Sequence, residues 1–168
     1  LGATFAVKNL FGAVSGKRKA IWHFRKGHSF EQFCGMLIGI YRLLSPVVSI
    51  IDGIVAMEGM GPIRGTPRPL GVLVGGRDPI ACERVCCELV GFSPEELPIL
   101  REARRMGFGR GEWEQIEVLG DDWRQAVRED FEPAVQIPLR FSLVHVCRSV
   151  SKQAVLVIRS ALGRGRAS

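Results

Sequence analysis

No acidic residue occurs in residues 1–28 or in residues 137–168. Each of these ends carries six Lys or Arg residues. The middle of the chain therefore holds eleven bases against all seventeen acids, and the formal charge of +6 is the balance of two basic ends and an acidic centre. Such asymmetry points to contact with anions or an acidic membrane surface, or to two simply solvated ends. Nucleic acid is not expected as a partner. The apolar stretches are broken by Arg42, Asp52, Arg148, Lys152 and Arg159, so no uncharged run reaches the roughly 18 residues of a spanning helix. The five cysteines form no Cys-x-x-Cys-x-x-Cys run, which excludes a ferredoxin-type cluster motif within the chain. An odd number, three of them crowded at Cys82, Cys86 and Cys87, is no disulfide framework and fits a reducing cytoplasm.

At 168 residues with 46% hydrophobic content, the chain can build a real core. It opens with Leu rather than Met, and further residues upstream are expected. Residues 3–14 read as a short strand ending at Gly12, and Lys17 to Lys26 as a basic loop. Ser29 with Gln32 forms a capping box, and Phe30, Phe33, Cys34, Leu37, Ile38, Tyr41 and Leu44 follow at helical spacing. Pro46 ends that helix. Val47 to Ile51 is a buried strand, continued by Ile54 to Met57 beyond a bend at Gly53. Residues 58–69 read as a Gly/Pro-rich loop and Leu70 to Val74 as a second strand. Asp78 and Pro79 cap a helix over 79–90. A further helix starts at Ser93-Pro94-Glu95-Glu96 and runs to about Met106, and Gln115 to Leu119 reads as a third strand.

Alternating helices and apolar strands imply an α/β fold, a mixed sheet with helices packed against it. The α/β domain is expected over 1–134. Residues 135–168 read as a basic amphipathic C-terminal helix with a frayed tail. In that helix Arg148, Lys152, Arg159 and Arg166 fall within about 40° of one another.

The run Asp52-Gly53-Ile54-Val55-Ala56-Met57-Glu58-Gly59-Met60-Gly61-Pro62, closed by Gly65, concentrates the candidate chemistry. A carboxylate delivered to a strand end can ligate a metal, accept a proton or hold a hydroxyl. Equally, Asp52 can cap its own Asp-Gly turn. Gly59 and Gly61 let a backbone approach a ligand and point N–H groups at an anion. No Gly-Lys-Ser/Thr follows, so this is not a Walker loop. His23 and His28 lie in the basic segment close to Lys8 and Asn9. His145, in the tail, reads as structural.

The stretches Lys8-Asn9-Leu10-Phe11-Gly12, His23, the Asp52–Pro62 run with Gly65, and Asp78-Pro79-Ile80-Ala81 with Gly91 resemble domain-of-unknown-function family 362. The resemblance spans residues 3–120. It implies an α/β domain whose relatives often carry a ferredoxin-like [4Fe–4S] module. It also implies that this chain is the C-terminal part of such a domain. Glu83 departs from the family, which usually has aspartate there. More distantly, Gly71 to Ala81 is similar to a strand–Asp-Pro–helix element of the nickel-pincer lactate racemase family.

Together these readings lead to a redox-associated domain that binds a small anionic ligand or metal. It would work with an iron–sulfur centre, a [4Fe–4S] group, held outside this chain, and with a redox partner protein. Lys8, Asn9, Gly59, Gly61 and Asp78 are the expected ligand- or cofactor-binding residues. Asp52, Glu58 and His23 are the expected acid–base groups. The alternative is a non-catalytic interaction module docking to a membrane or protein partner through the basic C-terminal helix.

Overall fold

The computed structural model describes residues 2–27, 29–61 and 64–134. His28, Pro62, His145, Cys147 and the amphipathic segment 137–162 lie outside the described residues. Helices and a sheet share the described chain, so the α/β class holds. The sheet among the described residues is a single antiparallel hairpin rather than a mixed sheet.

Residues 3–14 are not a strand. Val7–Ala13 forms a 3-10 helix in which Val7 and Phe11, four apart, both turn into the core. In a strand the face shared by Val7 and Phe11 would also take Asn9, which is exposed. Nor is the basic segment a loop: Gly16–Lys26 is helix α1. Among its described side chains His23 turns inward, its ring 4.7 Å from Phe33 and 5.8 Å from Phe11. Tertiary contact to those rings, absent from a reading of charge alone, holds the helix.

Helix α2, Phe30–Leu44, has the expected bounds, and Ser29 Oγ accepts the Gln32 N–H. Its buried stripe of Phe33, Cys34, Leu37, Ile38 and Tyr41 forms the centre of the core. Strand β1, Ser49–Met60, runs antiparallel to β2, Arg64–Gly76. The presumed loop 58–69 is thus largely the upper half of a long hairpin. Its register shifts between Gly53 and Val55. There Ile54 faces both Leu70 and Gly71, a bulge in which Gly71 adopts φ 71°. Bulging lets Pro67 and Pro69, which lack N–H donors, sit in a two-stranded sheet with open edges.

Helix α3, Pro79–Leu89, starts at the Asp78 cap as expected. The following helix is split. Pro94–Glu96 is one 3-10 turn, and Pro98 restarts the chain as α4, Pro98–Arg105. A proline lacks the amide that would continue the first turn but fits the first position of the next helix. Gln115 to Leu119 does not form a third strand. A 3-10 turn at Trp113–Gln115 precedes it and another at Trp123–Ala126 follows. Trp113 packs edge-on against Trp123 with centroids 5.2 Å apart, and this pairing ties the two turns to each other.

Beyond these turns the chain crosses back over α3 and the hairpin. Arg128 N–H donates to Leu89 O at 2.8 Å, and Phe131 meets Phe92 edge-on. Gly91, at φ 67°, leaves room for this strap, since a Cβ there would lie 2.8 Å from Glu129 Cα.

Cys34, Cys82, Cys86 and Cys87 are buried free thiols. Burial pushes the Cys34 and Cys87 thiols up to about 12 and Cys82 to about 11, and raises Cys86 as well. The thiolate is the reactive form. In the native protein these four are therefore expected to resist a thiol reagent for hours and to label at once in denaturant. Prompt native labelling of two or more of them, located by peptide mapping, would contradict this packing.

Candidate functional site

A cavity of about 480 Å³ lies between the inner face of the hairpin, the N-terminal segment, α3 and the strap. That is within the usual range for small-ligand sites. Ile51, Leu70, Val72 and Val74 form its hairpin wall, and Cys86, Leu89 and Val90 its α3 wall. Phe5 and Phe33 add aromatic surface. The polar groups come from four separate stretches: Lys8 from the 3-10 segment, His23 from α1, Asp52 from β1 and Glu132 from the strap.

Of the residues singled out in the sequence, Lys8, His23, Asp52 and Gly61 line this cavity. Lys8 is exposed along its length, yet its ammonium is partly desolvated. Burial lowers its pKa below the ordinary lysine value, and nearby Lys19 lowers it further. Burial also lowers the His23 pKa. A backbone hydrogen bond partly opposes this, while Lys8 and Lys19 add to it. Lys8 and Lys19 thus set a positive potential beside His23, where an anion relieves their repulsion. Asp52 has a structural duty too: its Oδ1 accepts the Ile54 N–H at 2.9 Å, satisfying the amide at the bulge. Asp52 is exposed and its second carboxylate oxygen is not used in that bond, so the carboxylate keeps acceptor capacity toward the cavity.

Asn9, Glu58, Gly59 and Asp78 sit elsewhere. Asn9 is exposed on the 3-10 segment next to Lys8. Glu58 lies 3.8 Å from Arg68 and accepts the Glu132 N–H at 3.1 Å. Arg68 in turn bonds both oxygens of Asp130 at 2.6 Å. These contacts fasten the strap to the hairpin. Gly59, at φ 69°, donates its N–H to Glu132 O, and a Cβ there would approach Glu132 Oε2 to 3.1 Å. Asp78 is fully engaged as a cap: Oδ1 accepts from Ile80 and Ala81, and Oδ2 accepts the Arg110 N–H at 2.8 Å. Its carboxylate ties the start of α3 to the 107–111 loop and leaves no room for a ligand.

Two contributors escaped the sequence reading. Glu132 reaches the cavity from a segment with no motif. Glu83, in α3, is buried, and its Oε1 accepts the Val7 N–H at 2.8 Å, while Oε2 has no hydrogen-bond partner. Its placement was readable in principle, because Ile80, Cys86 and Cys87 stand three and four residues away on the same helical face. Burial raises its pKa from 4.5 to about 7, with the amides of Val7, Ala6 and Phe5 pulling the other way. Glu83 does not line the cavity; it fixes the turn that carries Lys8.

The described residues do not fit an iron–sulfur cluster or a metal centre. The four described cysteines are distributed between α2 and α3 as buried thiols, and no group of three or more His, Cys, Asp or Glu gathers among the described residues.

Helices around a bulged hairpin, with a cavity lined by Lys8 and His23 from the N-terminal elements and by Asp52 and Glu132 from the hairpin and strap, define a small α/β domain. The chain belongs to the family described as Domain of unknown function (DUF362), whose model matches residues 1–88. That match contains every candidate site residue except Glu132. The chain is also 35% identical over 159 residues to a thylakoid-associated protein of Synechocystis sp.. The alignment covers 90% of this chain and 47% of the relative, so the chain spans about half the length of the relative it matches. No solved structure matches it.

Glu83 sets a pH dependence of stability. Its folded pKa is raised above the unfolded value, so its contribution is complete below pH 4.5 and is lost as pH rises through about 7. The wild type is expected to lose on the order of 3 kcal/mol of folding free energy across that window from this group, and Glu83→Gln to lose much less. Urea denaturation at pH 5 and pH 8 checks this, and parallel slopes for the two proteins would refute it.

Proposed function

We propose that this domain binds a small organic anion in the cavity, with its acidic group between Lys8 and His23 and its apolar body against Phe5, Phe33 and the hairpin. The observation that supports this reading is the convergence of Lys8, His23 and Asp52 on one cavity from three separate elements. A hydroxyl or amine at the far end of the ligand meets Asp52 or Glu132, which accept hydrogen bonds. His23 is the acid–base group of choice, since its lowered pKa keeps it neutral and able to take a proton near neutral pH. Glu58 is structural in this scheme.

The redox association rests on the family resemblance. The iron–sulfur centre it implies would be held outside this chain. A cytoplasmic setting is part of the proposal and is supported by the four unpaired thiols. No described helix is long and apolar enough to cross a membrane. The thylakoid association of the Synechocystis relative favours a second reading, an interaction module held at a membrane surface, with the basic segment 137–162 as one contact.

Thermal-shift and calorimetric titrations with phosphate, glycerol phosphate and aromatic carboxylates test the first reading. At least one anion is expected to stabilise the wild type and to bind about tenfold or more weakly to Lys8→Met. Because a bound anion raises the pKa of both Lys8 and His23, binding takes up protons and weakens as pH rises through the neutral range. No stabilisation by any of these anions, or equal binding to Lys8→Met, would defeat the proposal.

A further inference from the structure

The outer side of α1 and the adjoining end of α2 form a surface apart from the cavity. We infer that this surface docks on an anionic lipid bilayer. At 100° per residue, Arg18, Ile21, Trp22 and Arg25 fall within an arc of about 100°. The structure exposes all four, with Ile21 at 50% and Trp22 at 43%. His23 takes the opposite, inward side between Phe11 and Phe33. Bases alternating with Ile and Trp on the free side of a short helix match an interfacial helix. Indole sits at the headgroup level, and guanidinium groups reach lipid phosphates while their stems lie on apolar surface.

Beside this helix an apolar groove of about 670 Å³ opens between Trp22 and Lys26 on one side and Met36, Ile40 and Leu43 on the other. Gly35 and Gly39 form its floor. Leu43 is 84% exposed at the end of α2, and Leu44, Val47 and Val48 continue the apolar surface into solvent. Groove and helix together give a lipid tail a place to lie and phosphates a set of cations.

Charge selects the bilayer over other occupants. The first acid in the chain is Glu31, so α1 and everything before it carry bases alone. Two carboxylates touch the groove. Glu102 is buried and held by Arg105 through two hydrogen bonds, and Glu31 stands at the exposed start of α2. Lys26 and Arg105 also line the groove, and they balance these two acids. Arg18 and Arg25 are left over. A water-filled groove would not need that excess, whereas an anionic surface rewards each base near it.

Vesicle flotation with the full chain tests this. The variants are Trp22→Ala/Ile21→Ala, Arg18→Gln/Arg25→Gln, and the tail variant Arg148→Gln/Lys152→Gln/Arg159→Gln. The expected result is salt-sensitive binding to vesicles with anionic lipid and none to purely zwitterionic vesicles. Either α1 variant should bind roughly tenfold or more weakly, and the tail variant should retain α1-dependent binding. In a Trp113→Phe/Trp123→Phe background, Trp22 fluorescence should be quenched by lipids brominated near the headgroup. Three results would overturn the inference: binding indifferent to the α1 variants but abolished by the tail variant, which assigns the membrane contact to the tail; absence of quenching on vesicles that do bind; or a concentration-dependent dimer lost in Trp22→Ala/Ile21→Ala, which assigns the face to a second copy. Circular dichroism of each variant confirms that it is folded.

Discussion

A carboxylate buried away from water, Glu83, holds the N-terminal 3-10 segment through the Val7 amide. Much of the rest depends on that contact. With Val7 pinned, Phe11 enters the core next to Phe33, and His23 closes over both rings. Lys8, the next residue, is then carried to the rim of the cavity. Desolvation makes the charged form of Glu83 unfavourable, and the amides of Phe5, Ala6 and Val7 compensate in part. Glu83 thereby reaches the backbone of a segment 76 residues away in sequence.

The hairpin poses the opposite problem. Two strands alone bury too little to be stable in water, and this pair leaves Ile50, Ile54, Val55 and Leu73 exposed. Its inner side is supported by α3, where Gly76 comes so near Cys82 that a Cβ would lie 2.7 Å from the sulfur. The strap secures the far end through Glu58, Arg68, Asp130 and the Gly59–Glu132 backbone bond. Several residues that look chemical in a linear motif are therefore fasteners. Their ion pairs are exposed and individually weak, but they act on one short segment, where they close the cavity.

The charge distribution has a similar logic. Bases crowd α1, which turns His23 toward the core and leaves Arg18, Lys19 and Arg25 exposed. The acids of the centre are largely used internally: Asp78 caps α3, Glu102 pairs with Arg105, and Glu112 pairs with Arg104. Polar residues at the cavity therefore present positive potential from the N-terminal side against carboxylates of the hairpin and strap, an arrangement suited to a ligand with one acidic end.

The sequence by itself determined α2, α3 and the approximate place of the two strands, announced by a Ser29 cap with apolar residues three and four apart, an Asp78-Pro79 start, and apolar stretches near 47–51 and 70–74. The first stretch is not the buried strand expected: Val47 and Val48 precede β1 and are exposed, as is Ile50. The sequence also named Lys8, His23 and Asp52 as candidates. Only the tertiary structure decided that 7–13 and 16–26 are helical, because their stabilisation comes from Glu83 and from the Phe11 and Phe33 rings, which lie far away in sequence or inside the core. Long-range packing also separated Asp52 from Glu58. They stand six residues apart in one strand, yet the first faces the cavity and the second meets Arg68 and the strap. Local pattern fixes which residues are able to form an element or hold a charge, whereas which of them share a cavity depends on chain segments that no local pattern brings together.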